Sequence, residues 1–185
     1  MTGLNPLTDT ILSISCIITD FQLNVLDPTG FNAVIHHTPD QLDRMNEWCI
    51  RTHGASGLTA AALTSRATAA TVSGELLAYI HSYIPRPGTA LLAGNSIHAD
   101  KAFLLQSPWT PILSHLHYRL FDVSAMKEMV RRWASDEVLK AAPVKALKHT
   151  AREDVLESIE EARFYKSLIE RWSDKERSRK TSSLE

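Results

Sequence analysis

The sequence predicts an α/β fold, a sandwich with a mixed sheet and helices around it, and three features predict it. β-Branched residues crowd the N-terminal third, helix-like and strand-like stretches alternate after it, and a long stretch of helical period follows near the C-terminus.

Thr10–Thr19 reads TILSISCIIT and is expected as a strand. Asp20–Gln22 makes a turn, Leu23–Leu26 returns as a second strand and Ala33–His36 adds a third, so the N-terminal part reads as an antiparallel meander. Pro39 opens a helix through about Trp48, with Leu42, Met45 and Cys49 on one face. Thr71–Ile84 carries the helical stripe Leu76, Leu77, Ile80 and Ile84. Thr89–Ala93 reads as a buried strand after Pro85–Gly88, Leu120–Val123 as a shorter strand and Ser124–Ala134 as a helix. Ala151–Trp172 is the strongest helix, and Thr150 with Glu153 has the capping-box pattern that fixes its start. The polar tail Ser173–Glu185 is expected to be disordered, which gives one domain, 1–172, and a tail, 173–185.

The chain has 185 residues and a net charge of −1, so no overall basic field exists to hold a long nucleic acid. A ligand with few phosphates needs only a few local cations. Cys16 and Cys49 make neither a disulfide framework nor a zinc quartet. No signal peptide, transit peptide or long apolar span is read, which speaks against a membrane and fits a reducing compartment, cytoplasmic or mitochondrial.

Four segments carry candidate chemistry. In Ala93–Phe103, AGNSIHADKAF, Gly94, Asn95 and Ser96 stand at a strand end, where α/β folds gather ligands. Asp100 follows near a helix start and suits a hard cation there, or is simply an N-terminal helix charge. In His149–Asp154, HTARED, an imidazole and a carboxylate share one rim. His149 suits a general base and Asp154 a magnesium or manganese ligand. The plainer alternative is a capping box on a solvated helix. In Trp48–Leu58, WCIRTHGASGL, Trp48 offers a face for stacking a base, or a core residue, and His53 a donor. Leu116–Trp133 gathers Tyr118, Arg119, Ser124 and Lys127, a phosphate-holding set or a solvated basic helix. The other histidines, His36, His37, His81, His98, His115 and His117, show no ligand spacing and read as surface or structural.

Taken in order, MTGLNP, WCIRTHGASGL, AGNSIHADKAF, HYRLFDVSAMKEMVRRW and HTAREDVLESIEEARFY resemble the successive motifs of the oligoribonuclease family, in the DEDDh branch of the proofreading-exonuclease superfamily. The resemblance runs from Met1 to about Trp172. It implies a ribonuclease-H-like mixed sheet flanked by helices, a homodimer, and 3′–5′ hydrolysis of RNA of two to five nucleotides to mononucleotides. It implies two magnesium or manganese ions about 3.5–4 Å apart, with Asp100 and Asp154 as metal ligands and His149 as the general base. Leu4 matches a wedge between the two substrate bases, and Trp48 and His53 match a base-side and a scissile-side contact. Ser96 matches a cap on the 5′ phosphate, with Arg119, Ser124 and Lys127 offered by the partner subunit, and Tyr118 matches a further partner contact.

Two departures from the family pattern stand out. The family precedes MTGL with an acidic D-x-E at the end of its first strand, and this chain starts at the methionine. The resemblance therefore implies truncation within the first catalytic motif, with the first central strand and two carboxylates absent. The alternative function is then an impaired form that only binds RNA or dimerises. The second departure is Arg152 and Glu153, where the family usually has an apolar residue and an aspartate.

Overall fold

The β-branched segment Ser13–Cys16 forms β1 and pairs antiparallel with β2, Phe31–Val34, in a register that sets Ser13 against Val34 and Cys16 against Phe31. The structure is a computed structural model that describes residues 1–144 and 150–182, with side chains described through Ser178. Only the middle of the expected Thr10–Thr19 strand enters this ladder. Leu23–Leu26 is not a strand. The Asp20 carboxylate accepts from the N–H groups of Gln22 and Asn24 at 2.8 and 2.9 Å, which closes a tight turn with Leu23 at φ 66° and leaves only a Thr19–Val25 bridge. Gly30 enters β2 at φ 62°, where a Cβ would lie 2.8 Å from the Cys16 carbonyl oxygen.

The helix expected over Pro39–Trp48 is two helices, α1 (Pro39–Asp43) and α2 (Glu47–Ala55). Thr38 and Gln41 cap α1 reciprocally, and the Asn46 side chain accepts from the Cys49 N–H at 2.9 Å and so starts α2 afresh. The alanine-rich α3 (Leu58–Thr64) and α4 (Ala69–Tyr83) follow. On α4, Val72, Leu76 and Ile80 face Ile11, Ile35, Phe103, Leu104, Trp109 and Ile112, which together make the main core. Buried Ser73 is satisfied by donating to the Pro108 carbonyl at 2.8 Å.

The second half alternates strand and helix. β3 (Leu91–Gly94) leads through α5 (Ile97–Leu104) and α6 (Thr110–His115) to β4 (His117–Asp122), which returns parallel to β3 with Gly94 opposite Asp122. β4 starts three residues earlier than expected. Then come α7 (Val123–Trp133), α8 (Asp136–Lys140) and α9 (Ala151–Ser182). The fold is mixed α/β, and among the described residues the strands lie in two two-stranded ladders, one antiparallel and one parallel. α9 packs against both β1 and β3 and so joins the ladders.

At the start of α9 the Thr150 hydroxyl accepts from the Glu153 N–H and donates to the Glu153 carboxylate at 2.7 Å, a variant of the expected box. The helix does not stop at Trp172 but continues through Ser182. Extending an existing helix needs no new nucleus, and Ser173–Ser182 contains neither glycine nor proline. Arg152 donates to the carbonyls of Pro28 and Thr29, which ties the first turn of α9 to the loop before β2. Among the histidines read as structural, buried His37 bonds the Thr10 hydroxyl at 2.8 Å and buried His115 bonds the Ile84 carbonyl at 2.7 Å.

Candidate active site at the ends of the parallel strands

Because Gly94 and Asp122 are partners in a parallel ladder, the residues after both strands emerge side by side. That is where ligands bind in open α/β sheets. Ser96 sits in this turn at φ 49°, in the left-handed region that costs a serine about 1–2 kcal/mol. Its N–H donates to Asp122 Oδ1 and to Ser124 Oγ, both at 3.0 Å, and its hydroxyl donates to Ser124 Oγ at 3.2 Å. Asp122 also caps α7 by accepting from the Ser124 N–H at 2.9 Å. Strain held this firmly at a strand end is a mark of a working turn.

Within one chain the two hydroxyls of Ser96 and Ser124 already meet. The parallel register of β3 and β4 is the reason. Lys127, three residues further along α7, stands 3.6 Å from the Glu161 carboxylate of the same chain. Tyr118 and Arg119 are exposed near the start of β4, with the guanidinium 4.9 Å from the Tyr118 ring centre. Three residues of strand, about 10 Å, separate Arg119 from the rim.

A second group forms around the N-terminal loop. Thr2 and Thr10 close the loop by a backbone bond of 2.8 Å, and it carries Leu4, which is 90% exposed. His53 is buried, and its Nε2 donates to the Met1 carbonyl at 2.9 Å. Half-exposed Trp48 stands edge-on to His53, their ring centres 6.3 Å apart. The helix α2 thus holds the loop that presents Leu4.

Asp100 follows Ser96 by four residues, so α5 links the two groups along one helix face. Burial pushes the Asp100 carboxyl above the usual range, opposed by weaker pulls that include the Met1 amino group and His98. Asp154 lies in the first turn of α9, and one turn later the Ser158 hydroxyl donates to Asn95 Oδ1 at 2.6 Å. Along α5 Asp100 is one helical turn from Ser96, and along α9 Asp154 is one turn from Ser158, which bonds Asn95. His149 lies outside the described residues. A cleft of about 310 Å³ opens between β1, β2, the α2–α3 junction and the start of α9, lined by residues that include Ser13, Asn32, Gly57 and Arg152 and by neither Ser96, Asp100 nor Asp154.

The two carboxylates are hard oxygen donors of the kind magnesium and manganese take. Among the described residues, however, no three His, Cys, Asp or Glu side chains gather closely enough to share an ion. The described residues alone do not assemble a metal shell.

Sequence reasoning placed Asn95 at the strand end but missed Asp122, Ser158, Glu161 and Tyr165. Asp122 carried a readable signal, an aspartate directly before a helix. Ser158 and Glu161 meet Asn95 across more than about 60 residues of chain, which no local pattern reveals, and Tyr165 joins them through Glu161 one helical turn away.

A family model described as an exonuclease matches residues 1–162. The mitochondrial oligoribonuclease of Bos taurus is 43% identical over 181 residues, 97% of this chain and 74% of its own length. That of Saccharomyces cerevisiae is 44% identical over 172 residues, 89% of this chain and 63% of its own length. The oligoribonuclease of Neisseria meningitidis serogroup A is 44% identical over 167 residues, 90% of this chain and 86% of its own length. The exonuclease family generally uses divalent metal ions. With the family model covering most of the chain and its motifs falling at the strand-end turn, the N-terminal loop and the start of α9, this chain belongs to the exonuclease family and, within it, to the oligoribonucleases.

Proposed function

We propose that the protein is a 3′–5′ exoribonuclease that hydrolyses RNA of two to five nucleotides to mononucleotides. One observation carries this reading furthest. Two hydroxyls, Ser96 and Ser124, with the ammonium of Lys127 nearby, stand at the strand ends, a set suited to a terminal phosphate. Such a rim holds the 5′ end of a short chain and leaves a longer one no path. Leu4 and Trp48 offer exposed apolar surface to the bases, and His53 fixes the loop that carries Leu4.

His149 is the proposed general base toward the attacking water, since a near-neutral imidazole suits that role at physiological pH. Asp100 and Asp154 are the proposed acidic residues of the site, with magnesium or manganese as the ions their oxygens favour. A two-ion arrangement needs more hard ligands than these two carboxylates supply. The alternative is a chain that binds short RNA or dimerises without turning it over. Incubation with two-nucleotide RNA and manganese separates the readings, because mononucleotide release supports hydrolysis and retention of intact RNA supports binding alone.

We further propose a homodimer in which Tyr118 and Arg119 reach the partner's substrate. Tyr118 is 72% exposed and leaves its ring open to a partner. Light scattering in dilute buffer should give twice the chain mass, and a clean monomer counts against the shared site. Arg119→Ala should weaken cleavage of two-nucleotide RNA by about 1.5–3 kcal/mol, the worth of a charge-assisted phosphate contact. Cleavage at the parent efficiency would remove Arg119 from the site. The compartment we propose is cytoplasmic or mitochondrial, as the mitochondrial relatives suggest. Among the described residues no helix is long and apolar enough to cross a membrane.

A further inference from the structure

We propose that Glu161 is a positioning residue that aligns the phosphate-binding rim and thereby sets preference for a 5′-phosphorylated end. The proposal rests on the reading of Ser96, Ser124 and Lys127 as that rim. Glu161 is 2% exposed on α9, on a stretch whose apolar neighbours include Val123, Val130, Ala162 and Tyr165. Its Oε2 accepts from Asn95 Nδ2 at 3.0 Å. Its Oε1 accepts from the Tyr165 hydroxyl at 3.0 Å and lies 3.6 Å from Lys127 Nζ. Burial and the Glu161 acceptor push the Tyr165 phenol well above its usual range, so it stays a donor.

These bonds lead outward to the rim. Asn95, held by Glu161 on one side and by the Ser158 hydroxyl at 2.6 Å on the other, donates to Ser124 Oγ at 3.3 Å and directly precedes Ser96. Lys127 is half-exposed, with its ammonium 3.6 Å from the buried Glu161 carboxylate. A buried ion pair is a weak source of net stability, and an apolar side chain of similar volume would fill the site about as well. What the carboxylate adds is a fixed place for one amide and one ammonium, both beside the turn that holds Ser96 in its left-handed conformation.

The experiment compares kcat/KM on 5′-phosphorylated and 5′-hydroxyl two-nucleotide RNA. In the parent protein the ratio should clearly exceed one. A ratio near one refutes the phosphate reading itself, before any variant is made. Glu161→Gln keeps an acceptor for Asn95 but loses the charge that holds Lys127. Partners that orient a binding group typically matter by about 10–100-fold at metal sites, and here the ratio should fall about tenfold, mostly through KM. Lys127→Met should lower it by a similar factor, and the double variant little further, because the two act as one unit. An equal loss on both substrates, or an unchanged ratio, overturns the proposal. If Glu161→Gln does not fold, Lys127→Met decides alone, and an unchanged ratio there also overturns it.

Discussion

Asp100→Asn should make the protein more stable at neutral pH and nearly inactive. Burial raises the Asp100 carboxyl, so the folded state binds its proton more tightly than the unfolded state does. The stability this contributes is fully present at low pH and is lost as pH rises through the folded value. At neutral pH the carboxylate is therefore a cost, and the neutral amide removes it. Each kcal/mol relieved should raise Tm by about 2–4 °C. Only well below the usual carboxylate range are both states of the parent protonated, and there the two melting curves should converge. Cleavage of two-nucleotide RNA should fall at least about 100-fold, the scale for losing one preorganised charge-stabilising group. A lower Tm at pH 7 would refute the desolvation argument, and unimpaired cleavage would remove Asp100 from the site.

Trp109→Ala should give the largest loss of stability from one apolar truncation. Trp109 is 4% exposed in the main core, where Phe103 and Ile112 are among its neighbours. Truncating such a ring leaves a cavity and costs about 3–5 kcal/mol. For a chain of this size that lowers Tm by roughly 6–20 °C. Phe21→Ala is the matched control. Phe21 is 88% exposed at the Asp20 turn, and its loss should stay within about 0.5 kcal/mol. Denaturant unfolding of both variants reads the difference, and equal effects would mean that Trp109 does not anchor the core.

The mixed α/β class and most helices were legible because periodicity and caps are local. Thr150 with Glu153 marked the start of α9, and the Pro39 signal marked α1. The break at Asn46 was missed because an asparagine inside a helical pattern reads as an ordinary polar residue until its side chain is seen to cap the next helix. The return strand at Leu23–Leu26 was overread because β propensity was weighed without the hydrogen bonds of Asp20, which take up the residues a ladder would need. Ser96 and Ser124 were found from their motifs. That they meet in one chain follows only from the parallel register of β3 with β4, a tertiary fact. Glu161 carries no local signal, since it is one of several glutamates on α9. Only the packing of α9 against α7 and the β3–α5 turn reveals it as buried.

The central claim, a nuclease for very short RNA, is tested most directly by a substrate-length series. Purified protein with manganese would be given RNA of two, three, five and twenty nucleotides, and mononucleotide release followed over time. The account predicts the highest kcat/KM on the two-nucleotide substrate and a steep fall with length, because the rim at Ser96 and Ser124 closes over the 5′ end. Equal rates at every length, or release only from the longest RNA, would contradict it.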